Sequence, residues 1–222
     1  MQPSTQYPVA VAGLTALALA TLPAPSATQD AATALERAEA AYRNLTTLTA
    51  SFTQTLDNPM LGTETAAGVL YLERPNRFAM RFTDPAGDRI VVDGTWLWLY
   101  APSSVPEQVI RQPVPSSGMT TPNLMGQFAD RPLERYEARY VRADTVGGWR
   151  VDVVALVPRQ QGLGFRSAEI SIDDDGLFRR IRLVEDSGQR RTLMLDDLRA
   201  GAQIPERELR FAPPDGVRIV VP

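Results

Sequence analysis

The stretch from Glu73 to Pro102, ERPNRFAMRFTDPAGDRIVVDGTWLWLYAP, sets three strand-like runs side by side with tight turns between them. Phe78, Met80 and Phe82 alternate with Ala79, Arg81 and Thr83, the period of a strand with one apolar face. Asp84-Pro85-Ala86-Gly87 supplies a turn and Ile90, Val91 and Val92 follow. Asp93-Gly94, set between apolar runs, is a strong hairpin signal. The third run, Trp96-Leu97-Trp98-Leu99-Tyr100, is apolar on both faces, so it must cover something on each side of a sheet. With few candidate catalytic residues in the chain, that points to a cavity rather than to an active site.

The same patterning extends in both directions. Asp30 is placed to cap a helix from Ala31 to about Thr47, with Leu35, Ala38, Tyr42 and Leu45 at helical spacing. Leu48 to Asp57 and Ala67 to Glu73 read as strands around a turn at Asn58-Pro59 and Gly62, and Glu107 to Arg111 adds another. Between Gln112 and Asp130 the alternation stops: Pro113, Pro115, Ser116, Ser117 and Gly118 make a loop. Thr121-Pro122 then opens a short helix that carries Leu124, Met125 and Phe128 on one face. Tyr136–Val141, Trp149–Val157, Phe165–Ile172, Leu177–Val184 and Arg190–Leu195 return to strand patterning, and Asp173-Asp174-Asp175-Gly176 reads as a hairpin turn rather than a calcium loop, lacking the later bidentate Glu. The sum is a mainly β chain with helices (α+β), one curved antiparallel sheet of about ten or eleven strands with a long N-terminal helix and a short inserted one. A sheet of that size curls, and the curl encloses a lumen that helices can plug.

Composition bounds the chemistry. The 222 residues are 44% hydrophobic and 22% charged, enough for one domain with a sizeable core. A net charge of −3 argues against nucleic acid as a partner, because that needs a basic face. Histidine and cysteine are absent and all 23 basic residues are Arg, which removes imidazole bases, thiol nucleophiles, zinc–thiolate sites and Lys chemistry. No catalytic or metal residues and no cofactor are assigned, and the chain is expected not to be an enzyme. Val9 to Leu22 is apolar for about 14 residues, too short to span a bilayer comfortably. Pro23-Ala24-Pro25-Ser26-Ala27 follows with small residues and helix breakers, so residues 1–27 read as a signal peptide with cleavage near Ala24 to Ala27, although no Lys or Arg precedes the apolar run. Residues 28–222 then form a single exported domain. Without Cys the chain cannot be a lipid-anchored lipoprotein.

Four blocks, in order, resemble the periplasmic outer-membrane lipoprotein carrier family (LolA-like). They are Leu48-Thr49-Ala50-Ser51-Phe52-Thr53-Gln54; Gly68-Val69-Leu70-Tyr71-Leu72-Glu73-Arg74-Pro75-Asn76-Arg77-Phe78; Ile90-Val91-Val92-Asp93-Gly94-Thr95-Trp96-Leu97-Trp98-Leu99-Tyr100; and Leu209-Arg210-Phe211-Ala212-Pro213-Pro214-Asp215-Gly216-Val217. The resemblance implies an incomplete, strongly curved antiparallel β-barrel whose apolar lumen, covered by the N-terminal helix and by the short helix as a lid, takes the acyl chains of lipoproteins. A monomeric carrier of this kind accepts them from an inner-membrane ABC transporter and delivers them to an outer-membrane acceptor. It implies lipid contacts at Phe78, Met80, Phe82, Ile90, Leu124, Met125 and Phe128, and a latch at Arg74 that bonds the lid helix. Trp98 and Tyr100 are expected to build the sheet rather than touch lipid. In the lid segment Asn123 and Gly126 stand where the family prefers apolar side chains. Carriage of another lipid or glycolipid, and a lipid-sensing envelope regulatory domain, are the alternative functions the same sheet would serve.

Overall fold

A computed structural model describes residues 27–114 and 124–222, with side chains given for all of these except residues 27–29 and Leu124. The proposed leader, the loop from Pro115 to Gly118 and the Thr121-Pro122 helix start lie outside the described residues. The described residues open with helix α1 (Ala27–Asn44), followed by strands β1 (Thr47–Asn58), β2 (Gly62–Glu73), β3 (Arg77–Asp84), β4 (Ala86–Val92), β5 (Trp96–Tyr100) and β6 (Gln108–Pro113). Two short helices, α2 (Leu124–Ala129) and α3 (Pro132–Arg135), lead into β7 (Tyr136–Val146), β8 (Trp149–Pro158), β9 (Phe165–Asp173), β10 (Phe178–Glu185) and β11 (Arg190–Ala200). A 3-10 turn at Glu206–Glu208 and a last strand β12 (Arg218–Val220) complete it.

All 12 strands form one open sheet in the order β12-β6-β5-β4-β3-β2-β1-β11-β10-β9-β8-β7. The incomplete barrel is therefore an open curved sheet with two ends, and its β7 edge does not pair with the β12 edge. Two expectations need correction. The sheet has one strand more than the ten or eleven read from the sequence, and that strand pairs parallel with β6 rather than antiparallel. Three residues are too few to show alternation, so β12 is invisible to patterning. Helix α1 also starts before Asp30, which sits inside its first turn, and it ends at Asn44 because Thr47 already pairs with Glu73 in β2.

The strands bury their two faces under different covers. On the concave face Leu48, Ala50 and Phe52 of β1, Leu70 and Leu72 of β2, and Ile170, Ile172, Ile181, Leu193 and Leu195 across the sheet meet Ala31, Leu35, Ala38 and Tyr42 of α1. On the convex face Ala79, Val91, Trp98 and Val109 are covered by Leu209, with Phe211 and Val217 against the same cluster. This explains why β5 is apolar on both sides: Leu97 and Leu99 face the concave core while Trp96, Trp98 and Tyr100 lie under the C-terminal segment. Phe211 sits between Trp98 and Tyr100, with ring centroids 5.5 and 5.6 Å away. Arg77 fastens that segment from β3, donating to Glu206 at 2.7 Å and to Glu73.

Two of the sequence blocks have local physical reasons. A Cβ on Gly68 would stand 2.1 Å from the carbonyl oxygen of Arg81 and 2.9 Å from the Phe52 ring, so only glycine lets β3 approach β2 here. In the β4–β5 turn the Asp93 carboxylate accepts from the backbone N–H of Thr95 (2.9 Å) and Trp96 (2.8 Å) and from the Trp98 indole (2.8 Å). Burial pushes this carboxyl up, but the three donors outweigh it and hold it below the ordinary Asp range. A depressed folded-state value stabilises the fold above the unfolded-state value near 3.8, and the contribution is lost as pH falls through the folded value. Asp93→Asn is expected to cost about 1 kcal/mol at neutral pH. It should also flatten the acid limb of a melting-temperature profile below pH 4; an unchanged acid limb would contradict the assigned role.

Candidate functional site

The concave face is the place where apolar side chains from the sheet and from helices converge. Phe78 and Met80, successive inward positions of β3, are buried there, and Phe82 and Ile90 are half-buried beside them. Phe82 meets Phe52 edge-on at 5.1 Å, which carries the apolar lining along β1 and β3. Val92 and Leu97 continue it on β4 and β5. From the helix side come Met125 and Phe128, both fully buried. Six of the seven sequence-predicted contact residues thus belong to one cluster; Leu124 opens α2, and its side chain lies outside the described residues.

Helix α2 is too short to be stable alone, so its contacts hold it in place. Phe128 packs against Tyr136 at 5.6 Å and edge-on against Phe165 at 5.5 Å. The Gln127 carbonyl accepts from the Tyr136 hydroxyl at 3.1 Å and from Arg135 at 2.9 Å. The Tyr42 hydroxyl of α1 donates to the Met125 sulfur at 3.2 Å. Burial pushes the Tyr42 phenol well above its ordinary range, so it stays a neutral donor.

Arg74 stands at the rim of this face. Its Nη1 donates to the Tyr42 carbonyl, in the last turn of α1, at 2.7 Å. The end of a helix leaves such carbonyls without a helical partner, and a cation suits that end of the helix dipole. Arg74 also lines a cleft of about 250 Å³ together with Glu39, Leu72, Gly126, Ala129 and Asp130. The guanidinium therefore sits where the sheet, α1 and α2 meet. Its bond goes to α1, and α1 in turn grips α2 through Tyr42 and Met125. The resemblance had placed the bond directly on the lid helix.

Sequence reasoning missed what seats α1 on the sheet. The Asp173 carboxylate accepts from Arg179 Nε at 2.7 Å and from the N–H groups of Asp175 (3.0 Å) and Leu177 (2.8 Å), with both charged side chains buried. The Asp173–Gly176 segment is thus the hairpin turn between β9 and β10. No group of three or more His, Cys, Asp or Glu poised for a metal occurs among the described residues. Arg37 of α1 donates to the Asp173 carbonyl at 3.1 Å and to Asp152 at 2.7 Å. A Cβ on Gly176 would stand 2.6 Å from the Arg37 carbonyl, so the helix lies directly on the turn. A run of three Asp and a Gly advertises a turn, but nothing in it signals a helix resting on top.

Residues 43–212 match the family model described as outer membrane lipoprotein carrier protein LolA. An outer-membrane lipoprotein carrier protein of Alkalilimnicola ehrlichii is 28% identical over 96% of this chain and 94% of its own length. One from Halorhodospira halophila is 29% identical over 83% and 84% respectively. Among solved structures, an uncharacterized conserved protein from Thermus thermophilus superposes with a TM-score of 0.55 at 15% identity, covering 87% of this chain and all of that one. MucB superposes with a TM-score of 0.54 at 20% identity, covering 85% of this chain and 65% of that one. These two share the fold. With an open curved sheet, a helix-covered apolar concave face and a family match across most of its length, the chain belongs to the LolA family of outer membrane lipoprotein carrier proteins.

Proposed function

We propose that the protein is a periplasmic chaperone that takes the acyl chains of lipoproteins onto its concave face and carries them from the inner to the outer membrane. The observation that carries this reading is the union of an apolar concave face with a short covering helix, α2, that holds on through its own apolar side chains. Three long acyl chains expose apolar surface worth on the order of 35 kcal/mol, at roughly 0.8 kcal/mol per methylene. Such cargo cannot cross water free, and a face lined by Phe78, Met80, Phe82 and Ile90 gives it an equivalent environment once α2 moves aside. Moving α2 uncovers Met125 and Phe128, at about 1.5–3 kcal/mol each, and acyl chains that take their place on the apolar face offset that cost.

An inner-membrane ABC transporter as donor and an outer-membrane acceptor complete the route, with residues 1–27 acting as the export leader and 28–222 as the working domain. Among the described residues no helix is long and apolar enough to cross a membrane. Native mass spectrometry of protein purified from its own periplasm tests the reading. The expected spectrum shows a chain beginning between Pro25 and Gln29 and, in part of the population, one bound acylated lipoprotein. A bound glycolipid or free lipid in its place would replace the cargo assignment, and an intact Met1 would remove export.

A further inference from the structure

Met60 and Leu61 are 93% and 82% exposed, side by side at the tip of the β1–β2 hairpin. Large apolar side chains scattered singly on a surface are ordinary; two adjacent ones presented at a projecting tip are not. The tip lies beyond the last ladder pairs on both sides, Asp57 with Arg190 of β11 and Ala67 with Asp84 of β3. On the β3 side Glu64 to Ala66 still face Pro85, Asp88 and Ser103 across a cleft, so the part of the hairpin that stands free is the tip around Met60 and Leu61. The turn is not loose. The Asn58 side-chain oxygen accepts from the N–H groups of Met60 (2.9 Å) and Leu61 (3.2 Å), and its amide donates to Gln189 at 3.3 Å.

We propose that this tip is a membrane-contact wedge, with Met60 and Leu61 entering the boundary between headgroups and acyl chains of a lipid bilayer. Three observations favour lipid over a protein partner. From Asn58 to Thr63 no side chain is charged, so nothing at the tip must be desolvated at a charge's cost, and nothing offers the charge complementarity that steers protein pairs. The backbone donors that would enter first are already satisfied: Pro59 has none, and those of Met60 and Leu61 are held by Asn58. The tip also offers two side chains rather than the broad area a specific protein interface buries. A wedge of that size gives a weak and reversible contact, which suits a protein that must visit a bilayer and leave it. The contact is independent of whatever occupies the concave face.

The test is vesicle binding by the cargo-free chain. Wild type is expected to co-sediment with phosphatidylcholine vesicles. Met60→Ser and Leu61→Ser should each weaken binding roughly tenfold, and the double variant about a hundredfold, with melting temperature unchanged because both side chains lie outside the core. Leu61→Trp should show a blue-shifted emission on adding vesicles and quenching by brominated acyl chains. The wedge is overturned if wild type ignores the vesicles or if the double variant binds as well as wild type. It is equally overturned if binding needs anionic phosphatidylglycerol and survives the double substitution, which would place the contact on surface arginines. Loss of a self-associated species in size exclusion, with no vesicle binding by wild type, would make the tip a contact between copies instead.

Discussion

Arg74→Leu is expected to load acyl cargo normally and to release it slowly. The substitution removes the 2.7 Å bond to the Tyr42 carbonyl and leaves the apolar face untouched. A hydrogen bond from a charged donor is worth about 1.5–3 kcal/mol, and rim exposure puts this one at the low end. The bond belongs to the closed arrangement, in which Tyr42 also reaches Met125. Losing it disfavours only that state, so the open, lipid-bound population gains about tenfold and apparent lipid retention rises by the same factor. Transfer of a labelled lipoprotein from the loaded carrier to an outer-membrane acceptor should slow about tenfold, while the melting temperature of the empty carrier falls by only about 3–5 °C. Tyr42→Phe separates the two links of the chain: it keeps the carbonyl that Arg74 grips but removes the donor to sulfur, and a smaller slowing is expected. Transfer by Arg74→Leu at the wild-type rate would reduce Arg74 to a surface residue beside a turn.

The sheet was legible because alternation is a strong local signal wherever one face is buried. Phe78-Met80-Phe82, the Asp93-Gly94 hairpin and the two-faced β5 all lie where the pattern puts them. The hairpin of β1 and β2 runs longer than expected because Gly62-Thr63-Glu64-Thr65 is polar on both faces, a solvated ribbon that patterning assigns to a turn. The seven proposed contact positions were named from the resemblance, and six of them converge in one cluster through contacts between strands and helices far apart in sequence. Least legible were the long-range polar links. Arg74 and Tyr42 are 32 residues apart, Tyr42 and Met125 83 apart, and Arg37 and Asp152 115 apart. No periodicity encodes such pairs, and each charged member reads from sequence as an ordinary solvated side chain. The tip residues Met60 and Leu61 escaped notice for the opposite reason: an apolar pair in a turn looks like the start of a core run.

The turn under α1 should behave in the reverse manner to the proposed latch. Asp173→Asn keeps the size of the side chain and part of its turn bonding but leaves the Arg179 guanidinium, 5% exposed, without its counter-ion. Breaking a buried pair from one side costs about 3–5 kcal/mol, far more than the pair itself contributes relative to apolar packing. Arg179 also stacks 3.9 Å over Trp149, so it is not free to swing into solvent without losing that contact as well. For a domain of this size each kcal/mol is worth roughly 2–4 °C, so the melting temperature should fall by roughly 10 °C. Replacing both partners, Asp173→Asn with Arg179→Met, should recover much of the loss, because no buried charge is then orphaned. Asp173→Asn within 0.5 kcal/mol of wild type in urea titrations would mean that water reaches the pair and that it does not stabilise the turn under α1. A large fall in stability there, beside a much smaller one for Arg74→Leu, would divide the contacts around α1 into those that build the domain and one that is balanced to let go. That division is what a carrier requires, since a cover fastened everywhere as firmly as at Asp173 would never admit its cargo.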